Sequence, residues 1–241
     1  MAAEHIIKSY DEELERLNNM IVEMGGLAES QLATAIEVVI ERDSDRAIRV
    51  VEGDARVDQL ERDIDNLAIR LLALRQPMAR DLREIVAALK IASDLERICD
   101  YAANVAKRSI ALAQAAPIQP VHALPRMTRL ALLLIKDVID AYVARDADKA
   151  FAVWVRDEEL DEMYASFFRV LLTYMMEDPR NIGPCTHLLF IAKNIERIGD
   201  HATNIAENVY YLVHGIPLEQ ARPKGDRSSL EVVAPGQAEA R

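Results

Sequence analysis

The sequence predicts an all-α protein built as a tandem duplication of an antiparallel three-helix bundle, with six long helices in all. Ala, Leu, Ile, Glu and Arg dominate the 241 residues and aromatic residues make up only 5%, which is a helical composition. Apolar residues recur at helical spacing along most of the chain. An eighteen-residue segment also occurs twice, one hundred positions apart, and this repeat sets the architecture.

The repeated segment reads LKIASDLERICDYAANVA over residues 89–106 and LFIAKNIERIGDHATNIA over residues 189–206. Ten of its eighteen positions are identical. Any two amphipathic helices share apolar spacing, but a common Glu-Arg-Ile-x-Asp-x-Ala-x-Asn does not follow from amphipathicity. The segment is therefore the strongest candidate for chemistry.

Turn residues and helix breakers divide the helical pattern into six segments. Residues 1–116 are predicted to form the first three-helix repeat, residues 117–217 the second, and residues 218–241 a disordered tail. The first helix is expected to bend at Gly25-Gly26. The predicted helices cover residues 5–42, the stretch from the Asp43–Asp45 turn to residue 75, residues 79–115, residues 127–145, the stretch from the Asp146–Asp148 turn to residue 177, and residues 184–214.

Composition and charge exclude several classes of function. A net charge of −11, from 29 basic and 40 acidic residues, argues against nucleic acid as a ligand because phosphate contacts need clustered Lys and Arg. The longest apolar run, residues 130–135, is far shorter than the roughly 20 residues that span a bilayer. With only Cys99 and Cys185 and no signal-peptide pattern at the start, we expect a reduced, cytoplasmic protein that reaches a membrane surface only through protein partners.

Acidic side chains form lines on the predicted helices, because residues four apart lie on one helical face. The repeated segments each carry a Glu, an Asp and an Asn at this spacing. The helix before each segment carries an Asp-x-x-x-Asp pair. The residues concerned are Asp54, Asp58, Glu96, Asp100 and Asn104 in the first half and Asp157, Asp161, Glu196, Asp200 and Asn204 in the second.

Sequence distances from each hairpin turn place these carboxylates at matching heights. Asp58 and Glu96 lie equally far from Pro77, one before it and one after it. Asp161 and Glu196 lie almost equally far from Pro179 in the same way. The distances for the second Asp of each line also match, so each antiparallel hairpin is predicted to gather four carboxylates at one level.

Four carboxylates in one patch repel one another unless a positive charge neutralises them. Oxygen ligands favour Mg, Mn, Ca or Fe, so each patch is a candidate site for a divalent or trivalent metal ion, placed superficially at the edge of the apolar arc. Asn104, Asn204, His201, Arg97 and Arg197 are secondary candidates around these ions. The alternatives are an ordinary solvated acidic face and, for the two arginines, ordinary salt bridges or an anion site near the metal.

The segments DLERICDYAANVAK and NIERIGDHATNIAE resemble the paired motifs of the PhoU family, as do the six-helix layout and the upstream Asp pairs. The first segment departs from the family pattern, since Cys99 and Tyr101 stand where the second has Gly199 and His201. The resemblance implies a non-enzymatic regulator of phosphate uptake, usually a homodimer. It would connect the ATPase of an ABC phosphate transporter with a sensor histidine kinase and repress the phosphate-starvation response, with Fe, Mn, Mg or Zn at the carboxylates.

Two other functions remain open at this stage. A metal-free helical scaffold would use the acidic stripes to bind basic partner surfaces. A di-metal carboxylate enzyme needs Glu-x-x-His pairs in a bundle core, but the residues three positions after Glu96 and Glu196 are Cys99 and Gly199. The sequence therefore disfavours the enzyme.

Overall fold

The computed structural model describes the backbone of residues 2–220 and the side chains of residues 10–220. This part of the chain is helical and contains no β-strand, which confirms the predicted all-α duplication. Short 3-10 turns at Gln119–Ala123 and Pro179–Asn181 precede the fourth and sixth helices. The helices are α1 (Ala2–Glu41), α2 (Ser44–Arg75), α3 (Ala79–Gln114), α4 (Leu124–Ala144), α5 (Ala147–Glu177) and α6 (Ile182–His214).

The second helix of each half begins at an equivalent cap. The Asp43 carboxylate accepts a hydrogen bond from the backbone N–H of Arg46 at 2.9 Å, and Asp146 accepts one from Lys149 at 2.9 Å. Each satisfies a backbone donor that the first helical turn leaves without a partner. The start of α4 lies three residues before the predicted one because Pro125 fits the first turn of a helix, where its missing N–H is not needed.

Helix α1 runs unbroken through Gly25-Gly26, where the sequence predicts a bend. A Cβ atom on Gly25 would lie 2.8 Å from Ile139 Cγ1 of α4. Glycine at this position permits the close approach of α4 and does not interrupt the helix. Of the predicted tail, Leu218 packs against the core, and residues 221–241 lie outside the described part.

The two halves pack on each other as well as within themselves. The three helices of each half contact one another, α3 packs against α6, and α1 packs against α4. Helices α3 and α6 run antiparallel, since Arg108 near the end of α3 lies 4.1 Å from the Phe190 ring centroid near the start of α6. At the opposite end, Arg83 lies beside Gly215. The repeated segments therefore meet at the centre of the molecule.

One continuous hydrophobic core runs through both halves. It includes Ile91, Leu95 and Ile98 of the first repeated segment and Ile191, Ile195 and Ile198 of the second, all fully buried. None of the helices within residues 2–220 combines the length and apolar character that crossing a bilayer requires.

Candidate functional site

The first cluster consists of Asp54 and Asp58 on α2 and Glu96 and Asp100 on α3, all half-buried. Burial raises the pKa of Asp54, and the charges of Asp100 and Asp58 raise it further. Burial also raises the pKa of Glu96 to about 7, with Asp100 and Asp58 adding to the effect. Asp58 and Asp100 act on both Asp54 and Glu96, so the structure places these side chains near one another across the hairpin, as the sequence distances predict.

Arg97 supplies positive charge to the first cluster. Its Nη1 donates a hydrogen bond to Asp100 Oδ2 at 3.2 Å, and its Nε lies 3.5 Å from Glu96 Oε2. The Arg97 side chain is 56% exposed, so solvent weakens both ion pairs. The neutral side chain of Gln31 on α1 also stabilises the cluster, because it donates a hydrogen bond to Asp54 Oδ1 at 3.3 Å.

The second cluster consists of Asp157 and Asp161 on α5 and Glu196 and Asp200 on α6. Asp157, Asp161 and Glu196 are 1%, 3% and 5% exposed, and Asp200 is half-buried. Burial raises the pKa of Glu196 to about 7, while the hydrogen bond from Lys193 opposes the rise and the charges of Asp200 and Asp161 add to it. The second cluster thus matches the first in composition but holds its charges away from solvent.

A glycine accounts for the burial of the second cluster. A Cβ atom on Gly199 would lie 2.6 Å from Leu160 Cδ2 and closer still to Asp157 Oδ1. The missing side chain lets the Asp157 carboxylate lie directly over the backbone of α6. The expectation that both carboxylate sites are superficial is therefore wrong for the second cluster, because the sequence pattern of α6 does not reveal how closely α5 approaches it.

The oxygens of Glu196 have unequal surroundings. Oε1 accepts a hydrogen bond from Lys193 Nζ at 2.7 Å, whereas Oε2 is buried without a hydrogen-bond partner. An unpaired buried carboxylate oxygen is unfavourable, and it suits an incoming cation. Within the described residues, no three His, Cys, Asp or Glu side chains converge in a ready-made metal-binding arrangement.

Three of the secondary candidates lie at the junction between α3 and α6. Arg197 Nη1 donates a hydrogen bond to the Tyr101 hydroxyl at 3.3 Å. His201 Nδ1 lies 2.8 Å from Asp94 Oδ1, and Asn204 Nδ2 donates to the same oxygen at 3.2 Å. Arg197 therefore donates a hydrogen bond to the first repeat, whereas Arg97 donates one within its own cluster, although the charges of Glu196 and Asp200 also act on Arg197. Asn104, the remaining candidate, is half-buried on α3.

Sequence reasoning missed two charged residues beside the clusters. Glu61 lies near the first cluster, where its charge helps to raise the pKa of Glu96. Lys193 binds Glu196 in the second. Both residues could have been found from the sequence, because residues three apart on a helix lie on the same face. Glu61 lies three positions after Asp58, and Lys193 lies three positions before Glu196.

Known proteins resemble this chain over nearly its whole length. A phosphate-specific transport system accessory protein PhoU homolog of Caulobacter vibrioides is 53% identical over 224 residues, covering 92% of this chain and 97% of the relative. One of Rhizobium meliloti is 50% identical over 230 residues, covering 95% and 97%. The crystal structure of PhoU from Pseudomonas aeruginosa superposes with a TM-score of 0.82 at 40% identity, covering 86% of this chain and 100% of that one.

The matched regions coincide with the duplication seen in the fold. Residues 21–109 and residues 124–209 each match the PhoU domain. The first region takes in most of α1, all of α2 and most of α3, and the second takes in α4, α5 and most of α6. Each region carries one carboxylate cluster. By sequence and by fold, the chain belongs to the PhoU family.

Proposed function

We propose that this protein is an accessory regulator of phosphate uptake. It would act in the cytoplasm, as a homodimer, between the ATPase of an ABC phosphate transporter and a sensor histidine kinase, and repress the phosphate-starvation response when phosphate is plentiful. The observation that carries this proposal is the 53% identity to a phosphate-specific transport system accessory protein over 97% of that relative's length. The role is one of binding and signalling, without turnover of its own.

The two clusters are the proposed cation sites of this regulator. Asp54, Asp58, Glu96 and Asp100 would hold ions in the first half. Asp157, Asp161, Glu196 and Asp200 would do so in the second. All the donors are carboxylate oxygens. Such donors favour Mg, Mn or Fe over a metal that prefers thiolate ligands, and Zn also accepts carboxylate ligands. Side-chain rotation within each cluster would have to precede coordination, since the carboxylates do not converge as they stand.

The chemistry supplied by a bound cation at these sites would be charge neutralisation. Burial, and after it the charges of neighbouring carboxylates, raise the pKa of Glu96 and of Glu196, so the ionised clusters carry an energetic penalty. Relief of that penalty stabilises the ion-bound protein. A metal-free scaffold is the second candidate, and it is supported by the ion pairs that Arg97 and Lys193 already make with the carboxylates.

The partners can be tested by capture with the purified protein. Immobilised full-length protein should retain the transporter ATPase and the cytoplasmic part of the kinase from defined mixtures. The capture is run with chelator and then with added Mn²⁺, so that a requirement for metal is seen directly. Retention of neither partner under either condition would refute the proposed adaptor role.

The metal sites can be tested by calorimetric titration with Mn²⁺. Glu96→Ala/Asp100→Ala and Glu196→Ala/Asp200→Ala should each lose the sites of one cluster and keep the helical circular dichroism of the wild type. Trp154, the only tryptophan, lies one helical turn from Asp157 and gives a local readout of the second cluster. Unchanged stoichiometry in both double variants would favour the metal-free scaffold.

A further inference from the structure

Lys193 distinguishes the two clusters. It lies three residues before Glu196, whereas the residue three positions before Glu96 is the exposed Ser93. Lys193 Nζ donates a hydrogen bond to Glu196 Oε1 at 2.7 Å and lies 4.7 Å from the ring centroid of Tyr164. The second repeat therefore carries a lysine on its motif glutamate, and the first repeat has none at the equivalent position.

The surroundings of this ion pair make it stronger than the one in the first cluster. The Glu196 side chain is 6% exposed and the Lys193 side chain 34%, whereas Arg97 beside the first cluster is 56% exposed. Burial reduces the screening of the attraction by water. Asp161 on α5, itself buried, also acts on Glu196.

We propose that Lys193 is the built-in counter-ion of the second cluster, and that a metal ion must displace its ammonium group from Glu196 in order to bind there. The inference rests on the proposed cation sites. Glu196 Oε2 is buried without a hydrogen-bond partner, so this carboxylate would be available to hold an ion. Its Oε1 would become available as well if the ammonium group moved to solvent, which the long flexible stem of lysine permits.

This arrangement makes binding at the second cluster a competition between two cations. The ammonium group is paired with Glu196 when no metal is bound. The first cluster has only exposed countercharges, the guanidinium of Arg97 and the ammonium of Lys107, whose charge acts on Asp54. The two sites of one duplicated protein would then fill at different metal concentrations.

The experiment isolates the second cluster in Glu96→Ala/Asp100→Ala protein and titrates it with Mn²⁺ in a calorimeter. Lys193→Met keeps the apolar stem against Tyr164 and removes the charge. It should bind Mn²⁺ about tenfold more tightly, which corresponds to about 1.4 kcal/mol. Lys193→Arg keeps the charge and should bind no more tightly than its parent. Unchanged or weaker binding by Lys193→Met overturns the proposal.

A reciprocal variant tests the same idea in the first cluster and does not depend on the folding of Lys193→Met. Ser93→Lys places an exposed lysine three residues before Glu96, and it is made in Glu196→Ala/Asp200→Ala protein so that only the first cluster responds. It should weaken Mn²⁺ binding about tenfold, or about 1.4 kcal/mol. Unchanged affinity contradicts the proposal.

The outcomes separate this inference from the proposed function on which it rests. If the wild type binds Mn²⁺ but neither the Lys193 nor the Ser93 variant changes the affinity, the counter-ion role is wrong and the metal sites stand. If no protein in the series binds Mn²⁺, the metal sites are wrong and the counter-ion role is overturned with them. Circular dichroism on each variant identifies a loss of fold.

Discussion

Substitution of Gly199 by alanine tests how the second cluster is built. The new Cβ would lie 2.6 Å from Leu160 Cδ2 and closer still to Asp157 Oδ1, inside normal contact distances. Overpacking of this kind costs about 1–3 kcal/mol, and the better helix propensity of alanine returns up to about 1 kcal/mol. We expect a net loss of up to about 2 kcal/mol, or up to about 8 °C in Tm for a chain of this size.

The assay is thermal and urea unfolding of metal-free protein, followed by circular dichroism. Gly53→Ala and Gly26→Ala are matched controls, since each lies within a helix where a Cβ would meet no atom within 4 Å. Both should gain stability, by up to about 1 kcal/mol. If Gly199→Ala is as stable as these controls, the close approach of Asp157 to α6 is not what buries the second cluster.

Asp157→Ala extends the same test through a double-mutant cycle. Because the Asp157 carboxylate is the nearest neighbour of the added methyl group, the two substitutions should couple by about 0.5–3 kcal/mol. Additive effects would mean that Leu160 alone meets the new methyl group.

Three further outcomes follow from contacts within the described residues. In metal-free protein, Glu196→Gln should be more stable than the wild type at pH 8 by up to about 3 kcal/mol and equal to it at pH 4. The pKa of Glu196 is about 7 in the folded state against an ordinary value of 4.5, so the folded state binds more protons. The stability of the wild type therefore falls as the pH rises from 4.5 to 7. A stability difference between the two proteins that does not depend on pH would contradict this. Asp94→Ala should lower the free energy of unfolding by about 1–3 kcal/mol, because it leaves His201 and Asn204 without their shared acceptor. An unchanged free energy in urea unfolding would show that these two hydrogen bonds between α3 and α6 do not stabilise the protein. Cys99 and Cys185 are fully buried, and burial raises the pKa of both thiols. An aromatic disulfide reagent should therefore react with them only when the protein unfolds. Stoichiometric reaction with the native protein would show that the structure opens locally.

The fold was predictable because its signals are local and repeated. The sequence shows the turns that begin at Asp43 and Asp146, the breakers at Pro77 and Pro179, and the duplicated segment. Three of the helix ends, at Arg75, Glu177 and His214, match the structure to the residue. The start of α4 lies three residues before its predicted position. Pro125 is typical of a helix breaker, but it also fits the first turn of a helix.

The composition of the clusters was predictable and their burial was not. Equal sequence distances from a turn determine the height of a carboxylate along a hairpin, so both sets of four could be predicted from the sequence, and their role as metal ligands stays a prediction. The burial of the carboxylates depends on the distance between two helix backbones. Helix α5 can approach α6 closely because Gly199 has no Cβ atom. The direction of a long side chain is equally hidden, which is why Arg97 and Arg197 share a motif position and have different partners.

The central α3–α6 junction also records how far the two repeats have diverged. Asp94 meets His201 there, but the residues at the equivalent positions of the other repeat are Asn194 and Tyr101. A chain assembled from two copies of the first half would set tyrosine against Asp94, and one assembled from two copies of the second half would set His201 against asparagine. Neither chimera would keep the hydrogen bond between His201 and Asp94, so the two halves are not interchangeable at their junction.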